Sequence, residues 1–403
     1  MKLLNSMLEQ FVRTGTLRVI DADGIMHTHS GAPGPEVTIS ISDRRLYRTL
    51  FLNPELRAGE AYMDGTLKIE EGTIRDLLQI FAVNRKNLRG QPLQKFVRGT
   101  YKRFRKFHQR NTIVSARQNV AHHYDLSNEL YRLFLDADLH YSCAYFREDG
   151  ETLDAAQQNK LRHIAAKLDL KPGQRVLDIG CGWGGMALYL AKAVDLEVVG
   201  VTLSREQLAL ARQRAKERGL EGRVRFELTD YRDVEGQFDR IVSIGMFEHV
   251  GLTQFPDFFG KISQLLKSDG IALLHSIGRK AGSGATGAWV RKYIFPGGYS
   301  PALSETMSAV ERAGLWVTDI EILRLHYART LAAWEKNFQS NRGEISTLLD
   351  ERFCRMWEFY LIMSELTFSH GNHMVFQMQL AKDVHSAPIT RDYMFERETE
   401  LEV

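Results

Sequence analysis

Cysteine is scarce in this chain. Cys143, Cys181 and Cys354 are scattered over 403 residues and none belongs to a C-x-x-C pair. That usage argues against a disulfide framework or a structural zinc site and fits a reducing cytosol. Long apolar runs are missing too: no stretch approaches the roughly 18 consecutive apolar residues of a transmembrane helix. The opening MKLLNSMLEQFVRTG is broken by Asn5, Ser6, Glu9 and Gln10 and does not read as a signal peptide. A cytoplasmic protein is expected, able to lie on a membrane but not to span one. Internal repeats and low-complexity tracts are also absent. Acidic side chains are missing from one segment. Between Arg85 and Arg110 every charged residue is Lys or Arg, interleaved with Phe96, Val97, Tyr101, Phe104 and Phe107. Such a segment can lie on anionic headgroups, at about 1 kcal/mol per base near the surface. It can equally bind nucleic acid or serve as a solvated linker helix.

What is present is ordinary for a soluble globular protein, with 44% hydrophobic and 26% charged residues and a net charge of +3. The length favours two or three domains. Residues 1–83 read as a small α+β domain. TLRVIDADG and EVTISISD alternate like paired strands, while RRLYRTLFLNPELRAGEAYMDG and TIRDLLQIFAVN have helical spacing. Nothing there looks catalytic. The basic linker occupies 84–119. From 120 to 403 strands alternate with helices, the pattern of a doubly wound sheet. QRVLDIG, LEVVGVTL, RVRFELTD, FDRIVSIG, GIALLHSIG, LWVTDIEILRL and HMVFQMQLAK supply seven strands. EQLALARQRAKERG and FPDFFGKISQLLKSDG are amphipathic helices, each expected to close on its last glycine. A helical excursion over 330–369 is rich in Trp, Phe, Tyr and Met.

VLDIGCGWGG, residues 176–185, joins a strand to a helix. Gly180, Gly182 and Gly184 let the backbone turn sharply and approach a ligand without Cβ atoms in the way. Asp178 precedes the glycines and the second strand ends in Thr202 rather than an acid, which argues against a nicotinamide dinucleotide. The loop resembles the one with which class I methyltransferases hold S-adenosylmethionine. In such folds LTDYRD, residues 228–233, brackets the adenine, which makes Asp230 and Tyr231 contact candidates.

Taken together, YSCAYF, VLDIGCGWGG, GVTLSREQ, FDRIVSIGMFEHVG, LLHSIG, KYIFPGG and HYARTLAAW resemble the cyclopropane-fatty-acyl-phospholipid synthases. The mycolic acid cyclopropane synthases are similar. The motifs run in the family's order from about 120 to the C-terminus, and residues 1–83 resemble, more weakly, the extra domain of the longer bacterial synthases. The resemblance implies a class I, Rossmann-like, seven-stranded methyltransferase with an added N-terminal domain. It implies transfer of the methyl carbon of S-adenosylmethionine to the cis double bond of an acyl chain in a phospholipid, with ring closure by proton loss to a bound bicarbonate. It further implies a peripheral enzyme on the inner face of the membrane, a homodimer, with lipid rather than nucleic acid as partner and no metal.

Residue by residue, the resemblance places Cys143, Glu248, His275 and Tyr327 around the anion, with Ile277 contributing backbone and Glu248 orienting His275. Tyr141, Ser142, Thr202, Leu203 and Gln207 are implied to touch the cofactor. Imidazole and phenol groups are sensible donors to a small anion and a thiol is a weak one. Each residue also has a plain reading: Glu248 as a surface carboxylate, His275 as a satisfied strand-end histidine, Tyr327 as packing. Trp289, Tyr293 and Phe295 can line an acyl channel or simply fill a core. Two other outcomes remain open: the same methyl transfer ending in a methyl- or methylene-branched chain, and a lipid-binding protein with an inactive core.

Overall fold

A computed structural model describes residues 1–88 and 127–401. By contact they form two compact units. One joins the N-terminal residues to Ala285–Pro296 and Leu331–Asn372; the other holds the remainder.

The first unit is built on strands β1 (Thr14–Ile20), β2 (Met26–Ser30), β3 (Ala32–Ile41) and β4 (Leu67–Glu71), in the order β2-β1-β3-β4. Alternation in TLRVI puts Leu17 and Val19 on the buried face, as a half-covered sheet requires. Both strands expected from the sequence are present and pair with one another in parallel, Leu17 opposite Val37. The helical span over 44–65 is two helices, Arg45–Leu52 and Pro54–Met63. Pro54 cannot donate to a preceding turn, so the chain restarts there, and the Asn53 side chain accepts the Leu56 N–H at 3.4 Å.

The expected catalytic domain, 120–403, does not stay together by contact. The aromatic-rich helix Glu351–Ser369 packs on Pro54–Met63 and on Ile74–Leu88. Trp357 and Phe359 are buried there, and Tyr62 donates to Glu358 at 2.8 Å. The helix Ile74–Leu88 covers the small sheet, on β1 and β3, and the excursion adds an apolar layer against that helix and Pro54–Met63. The basic segment 85–110 is described only through residue 88, at the end of the helix Ile74–Leu88. The rest of the expected linker, to 119, lies outside the described residues.

The second unit is a seven-stranded sheet of β5 (Arg175–Ile179), β6 (Glu197–Thr202), β7 (Val224–Leu228), β8 (Phe238–Ile244), β9 (Leu266–Arg279), β10 (Trp316–Ile322) and β11 (His373–Ala381). The order is β10-β11-β9-β8-β5-β6-β7, and β11 alone runs antiparallel to its neighbours. Val176, Val198 and Val242 pack on one face; Leu177, Val199 and Ile241 on the other. Both faces are therefore covered, as apolar parallel strands demand. Gly219 closes the helix Arg205–Glu217 in a left-handed conformation (φ +66°), as expected. Gly270 does not close a helix. The helix Phe255–Leu265 stops one residue before β9, and Gly270 lies inside β9 beside a register shift opposite Phe238–Arg240. A Cβ there would come within 2.8 Å of Leu266, so the glycine serves the irregular strand.

Candidate active site

The carboxyl ends of β5, β6, β8 and β9 carry the chemistry-bearing side chains, where open α/β sheets build their sites. After β5 the chain turns through Gly180, Gly182 and Gly184, all at positive φ (81°, 54° and 84°). A Cβ on Gly180 would meet Met246 at 2.8 Å, and one on Gly184 would meet Phe226 at 2.6 Å. Around Gly182 nothing lies within 4 Å, leaving that face open to a ligand. The N–H groups of Gly180 and Cys181 donate to Val201 at 2.9 and 3.0 Å, which ties the loop to β6.

One cavity gathers the predicted cofactor residues Tyr141, Ser142, Asp178, Gly180, Gly182, Thr202, Leu203, Gln207, Asp230 and Tyr231. Gly184 sits beneath it, against Phe226. Asp178 is 2% exposed and its Oδ2 has no partner. Burial raises its carboxyl to about 7, against an opposing pull from Lys160. Lys160, 1% exposed, donates from Nζ to Ser142 Oγ at 3.0 Å, and burial lowers its ammonium to about 8. A carboxylate with a bare oxygen and a buried ammonium share one cavity, which suits the ammonium and carboxylate of an amino-acid tail such as that of S-adenosylmethionine. Thr202 Oγ1 and Gln207 Oε1 lie 3.1 Å apart as a small polar pair. Asp230 lines the same cavity, and its two oxygens accept from Arg232 at 2.8 and 2.6 Å, which fixes its orientation. Tyr231 presents a buried hydroxyl without a partner and an aromatic face held by Phe258.

The DLHYSCAYF loop is held from beneath. Gln157 Nε2 donates to the carbonyls of His140 and Ser142 at 3.2 and 3.1 Å, and Asp136 pairs with His140 Nδ1 at 2.7 Å. Leu139 adopts φ 60°, unusual for a branched side chain and tolerated because both flanks are tied.

Of the anion-site candidates, Glu248 lies in the short turn Phe247–His249 after β8, while His275 and Ile277 lie within β9, at and beyond the residue that faces the end of β8. Glu248 Oε1 accepts the Ile277 N–H at 2.6 Å, while Oε2 is buried without a partner. The Ile277 N–H is thus spent on Glu248 and reaches an anion only through it. Burial raises the Glu248 carboxyl to about 7, opposed by that N–H, by its own backbone N–H and by the Ser276 hydroxyl. His275 is 2% exposed, its Nε2 has no partner, and burial lowers it to about 3, so it is neutral. Glu248 was expected to orient His275; the side chain placed on His275 Nδ1 is instead Gln377, at 3.3 Å. Gly245, which lines the cofactor cavity, donates to the His275 carbonyl at 2.9 Å. Cys143 and Tyr327 lie on a second pair of joined segments. The Ala144 N–H donates to Thr330 Oγ1 at 3.0 Å and Phe146 N–H to His326 Nδ1 at 3.0 Å, seating the loop on the first turn of the helix His326–Ser340. The Cys143 thiol donates to the Ala144 carbonyl, and burial pushes it far above its ordinary range. The buried Lys160 ammonium opposes the rise at Cys143 and adds to the lowering at His275.

Lys160, Gln157 and Gln377 escaped the sequence reading. The signal was in the helix Leu153–Lys167: Gln157, Lys160, His163 and Lys167 recur at three- and four-residue intervals, yet all are buried. Polar residues on a buried helical face need partners, and partners of that kind mark a site. The channel candidates Trp289, Tyr293 and Phe295 belong to the first unit. Trp289 packs on Phe359 with ring centres 4.7 Å apart, Tyr293 donates to Glu60 at 3.0 Å, and Phe295 meets Tyr360 edge-on.

A model of the mycolic acid cyclopropane synthetase family matches residues 111–378. A probable fatty acid methyltransferase of Pseudomonas putida is 38% identical over 379 residues, 90% of this chain and 92% of that protein. The cyclopropane-fatty-acyl-phospholipid synthase of Escherichia coli K12 is 43% identical over 264 residues, 66% of this chain and 68% of its own. The crystal structure of the mycolic acid cyclopropane synthase CmaA1 complexed with SAH and CTAB superposes with a TM-score of 0.62 at 35% identity, covering 66% of this chain and 97% of that one. The family match takes in the glycine loop, Asp178, Glu248, His275 and Gln377 alike: the chain belongs to the mycolic acid cyclopropane synthetase family and is an S-adenosylmethionine-dependent methyltransferase.

Proposed function

We propose that this enzyme is a cyclopropane-fatty-acyl-phospholipid synthase acting on cis-unsaturated acyl chains within phospholipid. The observation that carries the reading is the pair of bare buried atoms, Glu248 Oε2 in the turn after β8 and His275 Nε2 on β9 opposite the end of β8, beside the cofactor cavity. S-adenosylmethionine, when bound, supplies a methyl carbon electrophilic enough for an alkene to capture without prior deprotonation. Asp178 and Lys160 hold its amino-acid tail, and Tyr231 offers a face to the adenine.

Ring closure then requires a proton to leave the transferred carbon. The buried side chains are poor bases for that proton: Cys143 is a protonated thiol, Glu248 holds its proton up to about pH 7, and His275 resists protonation until about 3. They are better suited to bind an anion that is itself the base, and bicarbonate fits their size and donor count. Glu248 Oε2, His275 Nε2, the Cys143 thiol and Tyr327 are the side chains that would hold it. The dry surroundings keep water from capturing the cation before closure.

A second reading, a methyl- or methylene-branched product, is favoured by the Pseudomonas putida relative, whose name specifies methyl transfer to a fatty acid. Mass spectrometry of unsaturated phospholipid incubated with labelled S-adenosylmethionine decides between them. A gain of one CH2 that resists mild hydrogenation supports the ring; a gain that takes up hydrogen identifies a methylene branch and rejects it.

The same reading carries a peripheral place on the inner membrane face, a homodimer, and a lipid-facing role for the N-terminal domain and the basic linker. Among the described residues no helix is long and apolar enough to cross a membrane. Replacing the bases of 85–110 with Gln should abolish the salt-sensitive part of vesicle binding; unchanged binding rejects that role.

A further inference from the structure

Three strands put a polar row across the antiparallel edge of the sheet. Glu321 on β10 stands opposite Gln377 on β11, and Gln377 stands opposite His275 on β9. Lys167, at the end of the helix Leu153–Lys167, covers the row. Its Nζ donates to Gln377 Oε1 at 2.8 Å and pairs with Glu321; Asp319 Oδ2 is 4.0 Å away. Gln377 is fully buried, and its Nε2 lies 3.3 Å from His275 Nδ1.

These contacts have one consistent assignment of hydrogens. An ammonium paired with a carboxylate only donates, so Lys167 forces the carbonyl oxygen of the Gln377 amide toward itself. The amide nitrogen, which only donates, is thereby turned toward His275. His275 Nδ1 must then accept, and a neutral imidazole with a bare Nδ1 carries its proton on Nε2. That Nε2 is the buried atom left without a partner.

We infer that Lys167 and Gln377 are positioning residues that lock His275 in its Nε2–H tautomer and so aim an N–H donor into the site. The inference rests on the proposed reading of His275 as an anion-binding donor. Neither positioning residue was visible as such in the sequence, because the lock depends on cross-strand register and on a helix end 210 residues away from Gln377.

The full-length enzyme labelled with 15N-histidine tests it, with His275 assigned through a His275→Asn variant. In the wild type, long-range 15N–1H spectra should show Nδ1 unprotonated and Nε2 protonated from neutral to alkaline pH. In Gln377→Glu the carboxylate offers His275 only an acceptor, so the proton should move to Nδ1. Methyl transfer from labelled S-adenosylmethionine to vesicles of a dioleoyl phospholipid in bicarbonate buffer should fall about tenfold or more, with S-adenosylhomocysteine affinity unchanged. Gln377→Asn and Lys167→Met should give mixed tautomers and intermediate rates. A protonated Nδ1 in the wild type overturns the lock without any variant having to fold. An unchanged tautomer in folded Gln377→Glu overturns it as well. A moved proton with full activity leaves the lock standing and overturns the reading of His275 as a donor to the anion.

Discussion

Glu248 and Ile277 tie the turn after β8 to the neighbouring strand β9: one carboxylate oxygen of Glu248 accepts the Ile277 N–H at 2.6 Å while the other stays buried and bare. One half of the side chain is structural and the other is available for chemistry, so substitutions can separate the two.

Glu248→Gln keeps an oxygen for the Ile277 N–H and removes the ionisation. Burial raises the native carboxyl from an ordinary 4.5 to about 7. The folded state therefore binds a proton that the unfolded state has released. This contribution to stability is fully present below about 4.5 and is lost as pH rises through about 7. Thermal unfolding of the Glu248→Gln variant should show a flatter pH profile than wild type over that window, by up to about 3 kcal/mol. Identical profiles would show that Glu248 is not the titrating group. Glu248→Ala, which leaves the Ile277 N–H without its acceptor, should lose activity by about 100-fold or more.

Cys143→Ser should retain measurable activity. The thiol is 1% exposed, protonated, and bonded to a carbonyl, so an alcohol can take its place as donor. A folded, cofactor-binding Cys143→Ser enzyme with no turnover would instead restore a nucleophilic role for the cysteine.

Lys160→Met preserves length and removes the buried charge beside Ser142 and Asp178. The Michaelis constant for S-adenosylmethionine should rise by about 10- to 100-fold, the worth of a charged hydrogen bond, with a smaller change in kcat. Calorimetry with S-adenosylhomocysteine checks it; unaltered affinity would assign Lys160 to folding alone.

Gly184→Ala and Gly182→Ala should fail in different ways. At Gly184 the new methyl meets Phe226 at 2.6 Å under a φ of 84°, so stability should drop by about 1–3 kcal/mol. At Gly182 nothing protein-derived is within 4 Å, so the fold should suffer less while cofactor binding suffers more. Denaturant melts paired with binding measurements separate the two cases.

Much of this enzyme is legible in its residues alone. The seven strands and the glycine loop follow from local patterns: apolar runs, closely spaced turn glycines, an acid just ahead of them; the other residues expected at the cofactor follow from the resemblance to a known family. Local rules missed Gly270, because a helix stop and a strand irregularity both call for glycine. They missed the break at Pro54 for want of weighing its absent N–H. They also placed the helical excursion by sequence order, whereas burial of Trp357 and Phe359 joins it to the helices of the first unit.

By itself the sequence determined the fold class and the glycine loop, because each rests on spacing within short segments, and its motifs carried the family resemblance that implies the cofactor and the catalytic side chains. Only the tertiary structure decided who holds whom. Glu248 went to Ile277, Gln377 to His275, and Lys160 to Ser142. Those partnerships are set by strand register and by which helix face is buried, and a buried polar group takes whichever partner that geometry brings within reach.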